Sequence, residues 1–151
     1  MILIAHRGLI DWPNKNLENN PEEILKTLSY GIDCEIDLWK IENQFYLGHD
    51  EPIYKIDKKF LNKNGLWIHA KSLETLLWLT TTKLEYFWHQ NDDCVLTSGN
   101  YIWTYPEKQL TTRSIRLMPE WEDPNLKTIK DHVVHGICSD YINKIKIIYA
   151  L

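Results

Sequence analysis

The sequence lacks the features that mark several protein classes. It has no CxxC pair, and its three cysteines, Cys34, Cys94 and Cys138, are odd in number and far apart. This pattern is typical of reduced thiols rather than of a disulfide framework. No apolar run approaches the length of a membrane span, and no basic region followed by a long apolar run opens the chain. We therefore expect a cytoplasmic protein with no membrane partner.

An excess of positive charge is also absent. The net charge is -4, so a polyanion such as nucleic acid is not an expected partner. The apolar fraction of 44% and the charged fraction of 25% are those of a globular protein. A chain of 151 residues buries roughly 70% of its extended surface on folding. We expect one domain, residues 1–151, that needs no disulfide or metal merely to fold.

Two acidic side chains occupy alternate positions of an apolar segment. In an extended strand, Glu35 and Asp37 share one face, while Cys34, Ile36 and Leu38 share the other. Two carboxylates on the same face of a buried strand repel one another unless a cation lies between them, which favours a metal site. An edge strand with its acidic face in water is the alternative.

The first forty residues follow the order strand, loop, helix, strand. Residues 1–5 form a short apolar run that ends at His6, Arg7 and Gly8, which supply an imidazole, a permanent cation and a flexible turn. Asn20 before Pro21 is typical of a helix start. This order predicts a βαβ unit with parallel strands.

The next segments predict two more strands near the same site. Residues 45–47 read as a returning strand that would bring His49 to the mouth of the sheet. Residues 65–71 read as a third buried strand, on which His69 and Lys71 share a face.

The remainder of the chain shows few helix signals. Ser72 is a plausible cap for a helix, and residues 85–89 predict a strand. One more helix is expected beyond Asp123, and residues 145–151 are expected to form a closing strand. Four other short runs resemble strands: 95–96, 101–105, 114–118 and 136–141.

An ordered set of short motifs resembles the glycerophosphodiester phosphodiesterase family: His6-Arg7-Gly8, Glu18-Asn19-Asn20, Gly31 with Glu35-x-Asp37, and His49-Asp50. The resemblance is strong over the first third of the chain and fainter beyond it. There, residues 66–71 are similar to the family's Glu-x-Lys strand, and Ser139-Asp140 is similar to its Thr-Asp pair. That family has a TIM barrel fold and hydrolyses phosphodiesters with a divalent cation. Related phosphatidylinositol-specific phospholipases and sphingomyelinase-like lyases use the same constellation.

The resemblance implies a role for each matching residue: His6 and His49 as catalytic general acid and base, Arg7 and Lys71 as phosphate-binding cations, and Glu35 and Asp37 as metal ligands. The metal is expected to be one divalent cation, Mg²⁺ or Ca²⁺, with Mn²⁺ as an alternative. His69 stands where the family has a glutamate, so it is either a third ligand or a packed side chain.

Aromatic residues are unusually frequent, with seven tryptophans and eight tyrosines. A core of this size cannot hide all of them, so some are expected to line a surface or pocket. Core packing is the default for Trp12, Trp88, Trp103 and Trp121. The alternative for Trp88, Trp103 and Trp121 is contact with the leaving group of a substrate, because aromatic rings beside loops stack on sugars or bases.

The length departs from the family pattern. A TIM barrel has around 250 residues, so we expect an α/β fold of reduced TIM-type (β/α) barrel form that loses several outer helices in its second half. A partial sheet completed by self-association is the alternative.

The expected activity is metal-dependent hydrolysis of a small soluble phosphodiester, either glycerophosphodiester-like or nucleotide-linked. A lyase that forms a cyclic phosphate is one alternative. A non-catalytic relative that binds a phosphorylated ligand or partner is another, because the third acidic ligand is replaced. The presence of both His6 and His49 favours the enzyme.

Overall fold

The computed structural model describes residues 1–151 and contains ten strands and four α-helices. The strands are β1 (Ile2–Ala5), β2 (Asp33–Ile41), β3 (Gln44–Leu47), β4 (Tyr54–Ile56), β5 (Leu66–Ala70), β6 (Tyr86–Phe87), β7 (Cys94–Leu96), β8 (Ile102–Thr104), β9 (Ser114–Leu117) and β10 (Gly136–Ser139). The helices are α1 (Pro21–Ser29), α2 (Leu73–Leu79), α3 (Pro119–Glu122) and α4 (Ile142–Tyr149). Short 3₁₀ turns cover His6–Gly8 and Lys58–Asn62.

All ten strands belong to one curled sheet that forms a half-barrel. Strands β6, β5, β2, β1, β10, β9 and β8 follow one another with parallel pairing. Strand β7 then pairs with β8 in the antiparallel sense, and β3 and β4 extend the second half of β2 as an antiparallel hairpin. A hydrogen bond links the loop after β7 to β6, from the Ser98 amide to the Tyr86 carbonyl at 2.9 Å, but no strand pairing closes the sheet there. The fold is therefore mixed α/β with a partial barrel.

The alternation along β2 separates two regions of the protein. Cys34, Ile36 and Leu38 pack into the main core of 18 buried residues, which includes Ile24 of α1 and Ile145 of α4. A second cluster of eight buried residues, defined here as the inner cluster, contains Ile4, Trp67, Phe87, Trp103, Ile115, Leu117, Met118 and Cys138. Glu35 and Asp37 point to the inner side instead of the main core, as the alternation predicted.

Several local predictions are confirmed. Strands β1 and β2 are parallel and flank α1, so the βαβ unit is present. The Asn20 side chain accepts a hydrogen bond from the Glu22 amide and caps α1. The Ser72 hydroxyl caps α2 in the same way by accepting from the Thr75 amide.

Two predictions in the last third are wrong. The expected helix directly beyond Asp123 is absent, because Leu126 has a left-handed φ of 58° and residues 124–135 form a series of turns. Residues 145–151 do not form a closing strand, because Ile142–Tyr149 is helix α4. The spacing of Ile142 and Ile145, both fully buried, places one helical face on the core.

Outer helices are scarce between α2 and β10, where only the single-turn α3 occurs. Loops make the remaining connections there. None of the four helices combines the length and apolar character that crossing a bilayer requires.

Candidate active site

One cavity of about 240 Å³ collects most of the predicted site residues. Its polar lining consists of His6, Arg7, Glu35, Asp37, His49, His69 and His89. The first two directly follow β1, the acidic pair lies on β2, and His69 lies on β5 beside Asp37 in the parallel register. The order of the strands therefore brings together residues from five separate parts of the sequence.

Asp37 is the centre of the polar network. Its side chain is 1% exposed. One carboxylate oxygen accepts a hydrogen bond from Asn19 Nδ2 at 2.9 Å and lies 3.4 Å from Arg7 Nε. The other accepts from His69 Nδ1 at 3.0 Å and lies 3.5 Å from Lys71 Nζ. Burial alone would raise the pKa of Asp37, but the hydrogen bonds from the neighbouring histidines and the nearby cations hold it well below its usual range.

Asn19 has a structural role that the sequence did not reveal. The residue is fully buried and adopts a left-handed φ of 59°, and its amide donates to the Arg7 carbonyl. Its side chain donates to the Asp37 carboxylate and accepts from the Asp37 amide at 2.8 Å. Glu18 beside it binds Arg7 Nη1 at 2.8 Å. In the sequence, the only indication of this role is that Asn19 belongs to the Glu18-Asn19-Asn20 motif.

Glu35 is the poorly satisfied member of the acidic pair. It is 3% exposed and accepts one hydrogen bond, from the Arg7 backbone amide at 3.1 Å. Burial and the charge of Asp37 raise the pKa of Glu35. A cation next to both carboxylates would relieve the repulsion between them.

The side chains of Glu35, Asp37 and His69 fit a metal ion. One ligand atom from each lies within 4.8 Å of the other two. His69 Nε2 is 3.3 Å from the His89 carbonyl oxygen, which can only accept, so Nε2 can keep a ring proton there. Nδ1, which contacts Asp37 at 3.0 Å, is then the nitrogen that would exchange this contact for a metal ion. Stacking on Phe87, with ring centres 5.0 Å apart, fixes the plane of the imidazole.

His6 is held by a chain of buried hydrogen bonds. Its Nδ1 is 2.9 Å from Asp140 Oδ1. The Asp140 amide and the Ser139 hydroxyl each donate to one carboxylate oxygen of Glu120. Burial lowers the pKa of His6, but the Asp140 hydrogen bond and the charge of Glu35 outweigh it, so the net shift is upward. Because Nδ1 is engaged, Nε2 is the nitrogen left for the cavity.

His49 and Lys71 meet at the other side of Asp37. His49 Nδ1 is 3.3 Å from Asp37 Oδ2 and 3.4 Å from Lys71 Nζ. The side chain of His49 is 35% exposed, whereas that of His6 is 15% exposed. Lys71 does not line the cavity itself but is tied to it through these two residues.

The three tryptophans considered as leaving-group contacts are not placed alike. Trp103 and Trp121 line the cavity, together with Phe87, Tyr105, Leu117 and Met118. Trp88 instead packs against the main core, because its neighbours Phe87 and His89 are the residues of that segment that face inward. Trp12 is exposed and lies outside this cavity.

The cavity is lined by a buried acidic pair, the Arg7 guanidinium and four histidines, and Lys71 lies 3.5 Å from Asp37. Such a set can bind a metal ion, attract an anionic group and move protons. Comparisons of the chain with protein-family models, with curated proteins and with solved structures find no match.

Proposed function

We propose that this chain is a metal-dependent phosphodiesterase, similar to glycerophosphodiester phosphodiesterases, on a reduced TIM-type barrel. Its substrate is a small soluble phosphodiester. The observation that supports this proposal most strongly is the convergence of Glu35, Asp37, His6 and His49 on one cavity. Seven strands pair in parallel and in the order of the sequence, as the strands of a TIM barrel do, whereas the antiparallel strand β7 departs from that pattern.

A divalent cation would be held by Glu35, Asp37 and His69. Mg²⁺, Ca²⁺ and Mn²⁺ all accept carboxylate oxygens, and a nitrogen ligand favours Mn²⁺ over the harder Mg²⁺ and Ca²⁺. When bound, the ion supplies electrostatic stabilisation for negative charge on a phosphoryl oxygen. A divalent cation there would offset the repulsion between the buried Glu35 and Asp37 carboxylates.

Arg7 is the best-placed residue to orient the phosphate. Its guanidinium is fixed by Glu18 at 2.8 Å and by Asp37 at 3.4 Å, and it lines the cavity. Burial lowers its pKa, but the surrounding carboxylates reverse the shift, so the group stays cationic. Lys71 adds a second positive charge beside Asp37. A planar guanidinium held in one orientation suits the recognition of two phosphate oxygens.

The two histidines provide the proton transfers. His6 has Nδ1 bound to Asp140, which leaves Nε2 for the cavity. The ring of His49 is more exposed and also lines the cavity. One histidine takes a proton from water as the water oxygen bonds to phosphorus, and the other gives a proton to the alcohol oxygen as its bond to phosphorus breaks. These transfers balance the hydrolysis of a diester to a monoester and an alcohol.

The test is turnover with a matched pair of variants. The purified protein is incubated with glycerophosphodiesters and nucleotide-linked diesters in Mg²⁺, Ca²⁺, Mn²⁺ or chelator. We expect turnover that needs the metal, a loss of about 10²-fold or more in His49→Ala, and no change in His132→Ala, an exposed histidine outside the cavity. Absence of turnover in every condition, or full activity of His49→Ala, contradicts the proposal and favours a non-catalytic phosphate-binding protein.

A further inference from the structure

Part of the cavity lining has no role in the proposed proton transfers, and this part is mainly aromatic. Phe87 stacks on Trp103 with ring centres 4.5 Å apart and planes inclined by 26°. His89 stacks on Tyr105 at 3.8 Å and 25°. All four rings line the cavity and hold one another in place. Phe87 also stacks on His69, and Trp103 is 1% exposed, so these rings form a rigid wall with little free surface.

Trp121 differs from these rings because it has no aromatic partner. It lines the cavity, yet 67% of the residue is exposed. It belongs to the single turn α3, where its backbone amide donates to the Met118 carbonyl. The indole therefore offers an unoccupied flat face at the rim, next to the stacked rings of the lining.

His89 adds a polar group to this aromatic lining. Its Nδ1 is buried without a hydrogen-bond partner, and the nearest acidic oxygen, on Asp92, is 3.8 Å away. Nε2 makes no hydrogen bond within the protein either. A neutral imidazole has one donor and one acceptor nitrogen. A purely apolar ligand would leave both nitrogens without partners.

From these three features we propose that the cavity contains a subsite for a planar heteroaromatic ring, and that the phosphodiester carries a nucleoside as its alcohol. A nucleobase has a flat face that can stack on an aromatic ring of the lining and a polar edge that can form hydrogen bonds with His89. The cavity, with a volume of about 240 Å³, has room for one such ring. The net charge of -4 disfavours a polynucleotide. This inference rests on the proposed phosphodiesterase function.

Equilibrium binding separates the subsite from catalysis. Adenosine 5′-monophosphate and ribose 5-phosphate share the phosphate and the sugar and differ in the base. We expect calorimetry in Mg²⁺ to show adenosine 5′-monophosphate binding about tenfold more tightly or better, the gain that stacking of one base provides. Trp121→Ala should reduce that ratio severalfold. Trp12→Ala, which removes an indole that is 61% exposed outside the cavity, should leave the ratio unchanged.

Equal affinities for the two ligands, or an unchanged ratio in Trp121→Ala, overturn the subsite. The glycerol diesters of adenosine and of ribose provide the second comparison, and we expect the adenosine diester to have a kcat/KM about tenfold higher. Turnover of both diesters at the same kcat/KM overturns the subsite and supports the phosphodiesterase. Preferential binding of adenosine 5′-monophosphate without turnover of any diester supports the subsite and contradicts the phosphodiesterase.

Discussion

Replacement of Asp140 by asparagine tests whether the Asp140 carboxylate sets the tautomer and raises the pKa of His6. The carboxylate is 5% exposed and lies 2.9 Å from His6 Nδ1, while its backbone amide is held by Glu120. Asparagine has nearly the same shape, so the backbone contact is retained. The substitution removes the negative charge and allows the amide group to donate to Nδ1, which favours the wrong tautomer of the imidazole.

The expected effect follows from the strength of this one interaction. A hydrogen bond between a buried charged pair contributes about 2 kcal/mol more to the imidazolium than a neutral partner does. If His6 gains a proton in the transition state, the loss corresponds to about 30-fold in kcat/KM. Because Asp140 raises the pKa of His6, its removal must lower the pH at which His6 titrates.

Two measurements check this prediction. Imidazole NMR in the presence of chelator should show His6 titrating at lower pH in Asp140→Asn, and kinetics should show the loss in kcat/KM. Asp131→Asn, at an exposed position away from the cavity, is the control and should behave as wild type. An unchanged His6 titration together with an unchanged kcat/KM would refute the role given to Asp140.

Two further predictions concern stability and reactivity. Burial raises the pKa of both the Cys34 and Cys138 thiols, whereas Cys94 is exposed, so a thiol reagent at pH 8 should modify one cysteine in the folded protein and three in denaturant. Burial raises the pKa of Glu122, but the Arg116 hydrogen bond outweighs it, so the pKa lies below its ordinary value of 4.5. The pair therefore stabilises the fold above that value and loses its contribution as the pH falls through the lowered pKa. Urea unfolding should show Glu122→Gln less stable by about 2 kcal/mol at pH 7, the contribution of a hydrogen bond to a charged group, with a smaller loss of stability on acidification than wild type. A wild-type acid dependence in Glu122→Gln, or modification of a second thiol before unfolding, would contradict these two accounts.

Much of the candidate site could be predicted from sequence because short-range rules determine it. Strand alternation places Glu35 and Asp37 on one face, and parallel pairing sets Asp37 beside His69. The contributions of Asn19 and His89 could not be predicted in the same way. Each depends on contacts across the fold, one to Asp37 and one to Tyr105, that no local pattern encodes.

The errors in the last third have identifiable physical causes. The apolar spacing beyond Asp123 resembles a helix, but its carboxylate accepts hydrogen bonds from the Asn125 and Thr128 amides and stabilises turns instead. In the final segment, β-branched isoleucines favour a strand locally. Burial of Ile145 with Ile147 80% exposed shows that packing on one helical face prevails over that preference.

Titration with Mn²⁺ tests the central claim most directly, because it measures the cation and the reaction in the same sample. Electron paramagnetic resonance should show one bound Mn²⁺ per chain, and diester hydrolysis should rise over the same concentration range. Glu35→Gln should weaken Mn²⁺ binding by about tenfold or more, while Glu42→Gln, at an exposed turn, should leave it unchanged. No bound Mn²⁺, or Mn²⁺ binding that Glu35→Gln does not affect, would contradict a metal centre at Glu35, Asp37 and His69.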